Sequence, residues 1–253
     1  MPRMHCTLVS RGYELGADGS VPPAVVLRYL EHTRWQSASD PTIGLWKMFR
    51  DGHRIVVRAQ QLELLQAVGL QEELRISLWV ARIGRASMDM RSEIHRTRDE
   101  VLVARAVVTT VNLSPDGRPC AIPRQYVELI DEPDNVPLVP APPAEPPPAH
   151  ARRTPLAVLP SHLDLYGHVN HANYLTYFDD ARMLAARERW YGDQSTAAAQ
   201  RLRAVHLDYR REALLGDTLD VVSWQPQDSP NTFVFELVRP DLAVSLCRAR
   251  IVV

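Results

Sequence analysis

The sequence predicts an α+β fold made twice: in each copy a short strand, one long helix and an antiparallel meander. Three observations lead there. Arg58–Leu74 recurs without a gap as Arg203–Leu219, an offset of 145 residues, with Arg58/Arg203, Ala59/Ala204, Leu62/Leu207, Glu63/Asp208 and Leu74/Leu219 in register. Upstream, Tyr29–Arg34 resembles Tyr177–Arg182 at an offset of 148 residues. Two blocks in the same order at nearly one offset mark a duplication. Between the copies, Pro133, Pro137, Pro140, Pro142, Pro143, Pro146, Pro147 and Pro148 crowd one short stretch.

The elements follow in order. A helix is expected from Pro22 to Ala38, because Val26, Tyr29, Leu30 and Thr33 repeat at helical spacing behind two prolines suited to a first turn. Runs rich in Val, Ile, Thr and aromatic residues predict strands at Arg54–Leu64, Glu73–Ile83, Ser87–Arg96 and Val101–Leu113. The second helix is expected from Asn170 to Trp190, with Tyr174, Tyr177, Phe178, Ala181, Leu184 and Ala185 as its apolar stripe. Its meander is expected at Leu202–Tyr209, Asp217–Trp224, Thr232–Val238 and Ala243–Val253. Residues 1–131 form the first domain, 132–150 the connector and 151–253 the second domain. Each proline removes a backbone donor and fixes φ, so the connector cannot be helical. An extended strap of this length reaches roughly 50 Å; a disordered spacer is the ordinary alternative.

Composition excludes several classes. The chain has 253 residues, 45% of them hydrophobic, and a formal net charge of -1. That is globular, not disordered, composition. No apolar run is long enough for a membrane span. The neutral balance argues against nucleic-acid and membrane-surface partners. Cys6, Cys120 and Cys247 are widely separated, which offers no metal knuckle or disulfide framework and suits a reducing, cytoplasmic compartment. Met1–Ser10 shows no apolar core and no small-residue cleavage site, so a secretory signal is not expected.

The chemistry concentrates before the second helix, in Leu163-Asp-Leu-Tyr-Gly-His-Val-Asn-His-Ala-Asn-Tyr-Leu175. Asp164, Gly167, His168, Val169, Asn170 and Tyr174 resemble the DxxGHVNxxxY signature of hotdog-fold thioesterases of the 4-hydroxybenzoyl-CoA thioesterase-like group. The tandem arrangement is similar to the acyl-ACP thioesterases, as is Asp208-Tyr-Arg-Arg-Glu-Ala213 to their E-Y-R-R-E-C block. The resemblance covers nearly the whole chain outside the connector. It implies a double hotdog, two long helices each wrapped by an antiparallel sheet, the two halves forming one continuous sheet.

The residues themselves suit thioester hydrolysis. A helix N-terminus presents unpaired amides and a partial positive charge. The Gly167-His168-Val169 turn is therefore expected to face a substrate carbonyl as an oxyanion site. Asp164 is the candidate base or nucleophile; its ordinary reading is a turn or cap residue. Glu212 is a second base or orients water, or else pairs with Arg210 or Arg211 on the surface. His168 either hydrogen-bonds the carboxylate or substrate, or braces the loop. Asn170 is grouped with them and also suits a helix cap. Gly167, Val169, Tyr166 and Tyr174 are the candidate substrate-binding residues, Tyr174 as pocket or core.

Two departures from the acyl-ACP thioesterase pattern stand out. Tyr166 occupies the place of an asparagine, and Ala213 that of a cysteine, so no thiolate mechanism is available there. His162, His168 and His171 match no zinc spacing, and no metal or other cofactor is expected. The first copy has Gly16 for Asp164, Ser20 for His168, Pro22 for Asn170 and Ala67 for Glu212, so one active site per chain is expected, the first half supplying the acyl pocket. The predicted activity is release of a fatty or polyketide-like acid from acyl carrier protein or coenzyme A, by a monomeric pseudo-dimer or a homodimer. Two rivals remain: a non-catalytic acyl-thioester binding protein and a hotdog dehydratase or hydratase.

Overall fold

The computed structural model describes residues 3–40, 49–123, 130–131, 136–226, 229 and 231–253. The chain divides into two compact units, Met1–Leu138 and Val139–Val253. No helix among the described residues is long and apolar enough to cross a membrane.

In the first unit the elements are β1 (Met4–Val9), α1 (Pro23–Ser39), β2 (Arg54–Leu64), β3 (Glu73–Ile83), β4 (Ser87–Arg96) and β5 (Val101–Leu113). The strands pair antiparallel in the order β1-β3-β4-β5-β2. All four strands expected of the first meander form with the expected bounds. Alternation explains their clarity: along β4, Met88, Met90, Ser92 and Ile94 are buried and the residues between them are not. The predicted stripe of α1, Val26, Tyr29, Leu30 and Thr33, is buried, and the helix packs against β1 and β3.

The second unit repeats this plan with β6 (Arg152–Ala157), α2 (His171–Arg187), a one-turn α3 (Ser195–Ala198), β7 (Ala204–Tyr209), β8 (Thr218–Trp224), β9 (Thr232–Arg239) and β10 (Val244–Val252). Its antiparallel order, β6-β8-β9-β10-β7, matches that of the first unit strand for strand. Helices α1 and α2 have the same 17-residue length. Identical topology, helix length and register make the duplication a property of the fold as well as of the sequence.

Outside the first meander most bounds shift by one residue and the start of β7 by two, from Leu202 to Ala204; the largest difference is at the end of α2. Helix α2 was expected to reach Trp190 but ends at Arg187. Arg189 takes φ 57°, and the Arg189 and Trp190 amides donate back to Ala186 and Ala185. That is a left-handed stop closing the last carbonyls. Such stops favour glycine, and an arginine there gives no warning in the sequence.

The proline-rich segment forms no helix or strand over residues 136–150; Pro133 lies outside the described residues. The side chains of Arg248 and His206 fasten the part of it that lies in the second unit. Arg248 on β10 donates to the Pro143 and Glu145 carbonyls, at 2.7 and 3.0 Å, and pairs with Glu236 at 2.9 Å with both side chains buried. His206 Nδ1 lies 3.0 Å from the Val139 carbonyl.

Candidate active site

The loop from Asp164 to Asn170 joins a 3-10 turn (Pro160–His162) to α2. Its carboxylate organises it. Asp164 Oδ1 accepts the Tyr166 amide at 2.9 Å and the His168 amide at 3.3 Å. This is an aspartate turn, in which a short acidic side chain stands in for a backbone acceptor. The Asp164 amide donates to the His168 carbonyl at 2.8 Å, and the Gly167 amide to the Asp164 carbonyl at 3.1 Å. Gly167 takes φ 80°, the left-handed conformation that glycine adopts without cost.

The loop then adds to the β7–β8 connection. His168 bridges Leu214, and the Val169 amide donates to the Ala213 carbonyl at 2.9 Å. Asn170 caps α2, its Oδ1 accepting the Ala172 amide at 3.0 Å.

These bonds bring His168 and Glu212 together, with Nε2 to Oε2 at 3.5 Å; the Glu212 side chain is largely exposed and that of His168 half-buried. Tyr174 secures this arrangement from below. Its hydroxyl accepts the Ala213 amide at 2.9 Å and donates to the Arg211 carbonyl at 3.4 Å, so it grips the residues on either side of Glu212. Its ring meets Tyr209 edge-on, centroids 5.4 Å apart, and burial raises its hydroxyl well above the ordinary tyrosine range. Tyr174 thus positions a site segment, a role its place in the helix stripe did not reveal.

One detail departs from expectation. The Gly167, His168 and Val169 amides, expected to face a substrate carbonyl, each have an acceptor inside the protein: Asp164 O, Asp164 Oδ1 and Ala213 O. The His168 contact is the longest of the three. Tyr166 is exposed, whereas the Val169 side chain belongs to the core. Arg210 is engaged with Asp208 and with Ser245.

His162 was read only against a metal site. Its Nδ1 receives the Leu159 amide at 3.1 Å and lies 2.6 Å from the Tyr177 hydroxyl, while its carbonyl takes the Asn170 amide and Asn173 Nδ2. It therefore ties the loop to α2. Among the described residues no group of three or more His, Cys, Asp or Glu is arranged to hold a metal ion.

The first unit preserves the loop without its chemistry. The Gly16 amide donates to Ser20 O at 2.8 Å, the Gly19 amide to Gly16 O at 3.0 Å and the Val21 amide to Val68 O at 2.8 Å. Gly19 takes φ 76°. Each bond is the twin of one in the second unit, and the Tyr29 hydroxyl donates to Glu14 at 2.6 Å where Tyr177 meets His162. Gly16 stands in the sequence position of Asp164, Asp18 Oδ1 taking the Ser20 amide at 3.0 Å instead, and Ala67 stands where Glu212 would be.

Comparison with known proteins agrees with this architecture. An acyl-ACP thioesterase from Bacteroides thetaiotaomicron VPI-5482 superposes with a TM-score of 0.79 at 18% identity, covering 99% of this chain and 97% of that one. The 12:0-ACP thioesterase from Umbellularia californica superposes with a TM-score of 0.77 at 17% identity, covering 98% and 96%. The fold is therefore that of the double-hotdog acyl-ACP thioesterases. The long-chain acyl-CoA thioesterase FadM of Escherichia coli K12 is 32% identical over 80 residues, 28% of this chain and 55% of that protein. The chain thus spans about half the length of that curated relative. The family model for the thioesterase-like superfamily matches residues 18–149 and 158–251. With both halves matched and the fold shared along its length, the chain belongs to the thioesterase-like superfamily.

Proposed function

We propose that the chain hydrolyses acyl thioesters, carried on acyl carrier protein or coenzyme A, to a free carboxylic acid and a thiol. The observation that carries this reading is the meeting of the Asp164 loop with the His168–Glu212 pair, 3.5 Å apart, at the start of α2. Family membership supports the reaction class.

Glu212 is exposed enough to meet water and takes the proton of the attacking molecule. His168, its partner, orients that carboxylate and passes the proton on to the departing sulfur. Asp164 fixes the loop through Oδ1, while Oδ2 carries no hydrogen bond among the described residues and is open to the reacting centre. The His168 amide, the most loosely held donor of the loop at 3.3 Å, is assigned to the thioester oxygen, strengthened by the α2 dipole. Atoms balance: water adds to the carbonyl, the C–S bond breaks and the thiol leaves protonated.

Free-thiol release from matched acyl-CoA and acyl-carrier-protein substrates tests the reading. Release that is lost in both Asp164→Ala and Glu212→Gln supports it. Binding without release, or wild-type turnover in both variants, overturns it.

A further inference from the structure

We propose that Gln60 in the first unit is a specificity-determining residue that selects acyl chains bearing an oxygen substituent, a hydroxyl or a keto group. This rests on the thioesterase reading for the identity of the ligand as an acyl chain.

Gln60 is 1% exposed, and among the described residues neither its Nε2 nor its Oε1 has a hydrogen-bond partner. A buried amide group left unpaired keeps the full penalty of its desolvation. Such a group calls for a partner that arrives from outside.

The duplication supplies an internal control. Gln60, Val108 and Met90 form one cross-strand row of the first sheet. The register sets Val205, Ile251 and Phe233 in the same row of the second. The fold therefore accepts valine where Gln60 stands, and packing alone does not call for an amide.

The neighbouring row points the same way. It reads Leu62, Ala106 and Ser92 in the first unit, and Leu207, Ala249 and Phe235 in the second. In the second unit Phe235 meets Phe178 of α2, ring centroids 5.6 Å apart, and both are fully buried. In the first unit the corresponding residues are Ser92 and, on α1, Leu30. Two phenylalanines on the sheet are thus replaced by Met90 and Ser92, and one on the helix by leucine.

The second unit fills its helix-facing sheet with aromatic rings. The first has slimmer side chains there, a flexible apolar cluster of Leu78, Met88, Met90 and Val108, and one unsatisfied amide beside it. Methionines adapt to varied apolar shapes, which suits an alkyl chain. The amide suits a single oxygen on that chain: Nε2 donates to a keto or hydroxyl oxygen, and Oε1 accepts a hydroxyl proton. A site built to hydrogen-bond a substrate group discriminates strongly against the analogue lacking it.

The test compares unsubstituted, hydroxy- and keto-acyl-CoA thioesters of matched length, with the substituent walked along the chain, on wild type, Gln60→Leu and Gln60→Val. The last restores the residue that the second unit carries. Expected is a kcat/KM ratio of oxygenated to plain substrate above about 10 at one substituent position in wild type, collapsing in both variants. A ratio near one at every position, or a ratio that survives both substitutions, overturns the proposal. Thermal shift by the free hydroxy and plain acids gives a readout without turnover. If wild type hydrolyses nothing, the thioesterase reading fails, and the difference in shift between wild type and Gln60→Val then decides the role of Gln60.

Discussion

Tyr174→Phe isolates the contribution of one hydroxyl to both stability and catalysis. The ring stays, so the edge-on contact with Tyr209 at 5.4 Å is kept. What is lost is the acceptor of the Ala213 amide, a 2.9 Å bond in a fully buried setting, and the weaker 3.4 Å bond to Arg211 O. Ala213 is then left with a buried donor and no partner, which costs about 1–3 kcal/mol. For a chain of this size each kcal/mol lowers Tm by about 2–4 °C, so calorimetry should show a fall of about 2–12 °C. Glu212 sits between the two residues released, so its carboxylate loses its fixed position beside His168. Misplacement worth about 1.4 kcal/mol of the barrier lowers kcat about tenfold. Thioester hydrolysis followed by thiol release measures it. An unchanged Tm would refute the structural argument. A lowered Tm with unchanged kcat would show that Glu212 needs no anchoring by Tyr174.

Other perturbations separate roles that coincide in the native protein. Asp164→Asn keeps an oxygen acceptor for the Tyr166 and His168 amides but removes the carboxylate charge that Oδ2 offers the attacking water, so Tm should hold while thiol release falls at least about 100-fold; Asp164→Ala should lose both, and equal activity of the Asn variant would confine Asp164 to loop structure. Arg248→Met leaves the buried Glu236 with only the more distant Arg210, 3.8 Å away, and frees the Pro143 and Glu145 carbonyls, at an expected cost of about 3–5 kcal/mol by denaturant titration; a loss below that range would mean the strap holds without this clamp. Burial pushes the Tyr177 hydroxyl up to about 12 from its ordinary 10.0. The folded state keeps that proton where the unfolded chain has lost it, so stability is fully present below the ordinary value and declines as pH rises towards 12. Tyr177→Phe should flatten this alkaline decline, and an identical slope in the two proteins would show that another group governs it.

Much of the fold was legible because the pattern is carried by burial on one face. The alternation of Met88, Met90, Ser92 and Ile94 needs no tertiary knowledge to mark a strand, and the matching of Leu62 with Leu207 shows that the strand recurs. The site was legible at the level of which residues meet. Asp164, His168 and Glu212 do converge, although Glu212 stands on a segment far away in sequence, and it was the resemblance that linked them. Most of the bond inventory stayed hidden. The turn reading of Asp164 was open to the sequence and its Oδ1 does take two amides of its own loop, but nothing in the residue order shows that Tyr174 holds the flanks of Glu212 or that Arg248 reaches the Pro143 carbonyl. Hydrogen bonds between distant segments depend on register and side-chain reach, which a one-dimensional pattern does not encode. The Arg189 stop was missed for a related reason, since its left-handed backbone follows from the closing contacts of α2 and not from residue type.

The turn at Gly16–Ser20 repeats the backbone bonds of that at Asp164–His168, with Asp18 Oδ1 taking the Ser20 amide at 3.0 Å where Asp164 Oδ1 takes the His168 amide. The shape of this loop is therefore carried by carbonyls, amides, one left-handed glycine and one acid, which stands at the first position in the second unit and at the third in the first. That shared frame makes the chain a natural engineering chassis. Positions 166, 168 and 212 can be randomised with Asp164, Gly167 and Asn170 held constant, without solving the folding problem again. The first unit already displays a blank version of the same loop, awaiting a chemistry of its own.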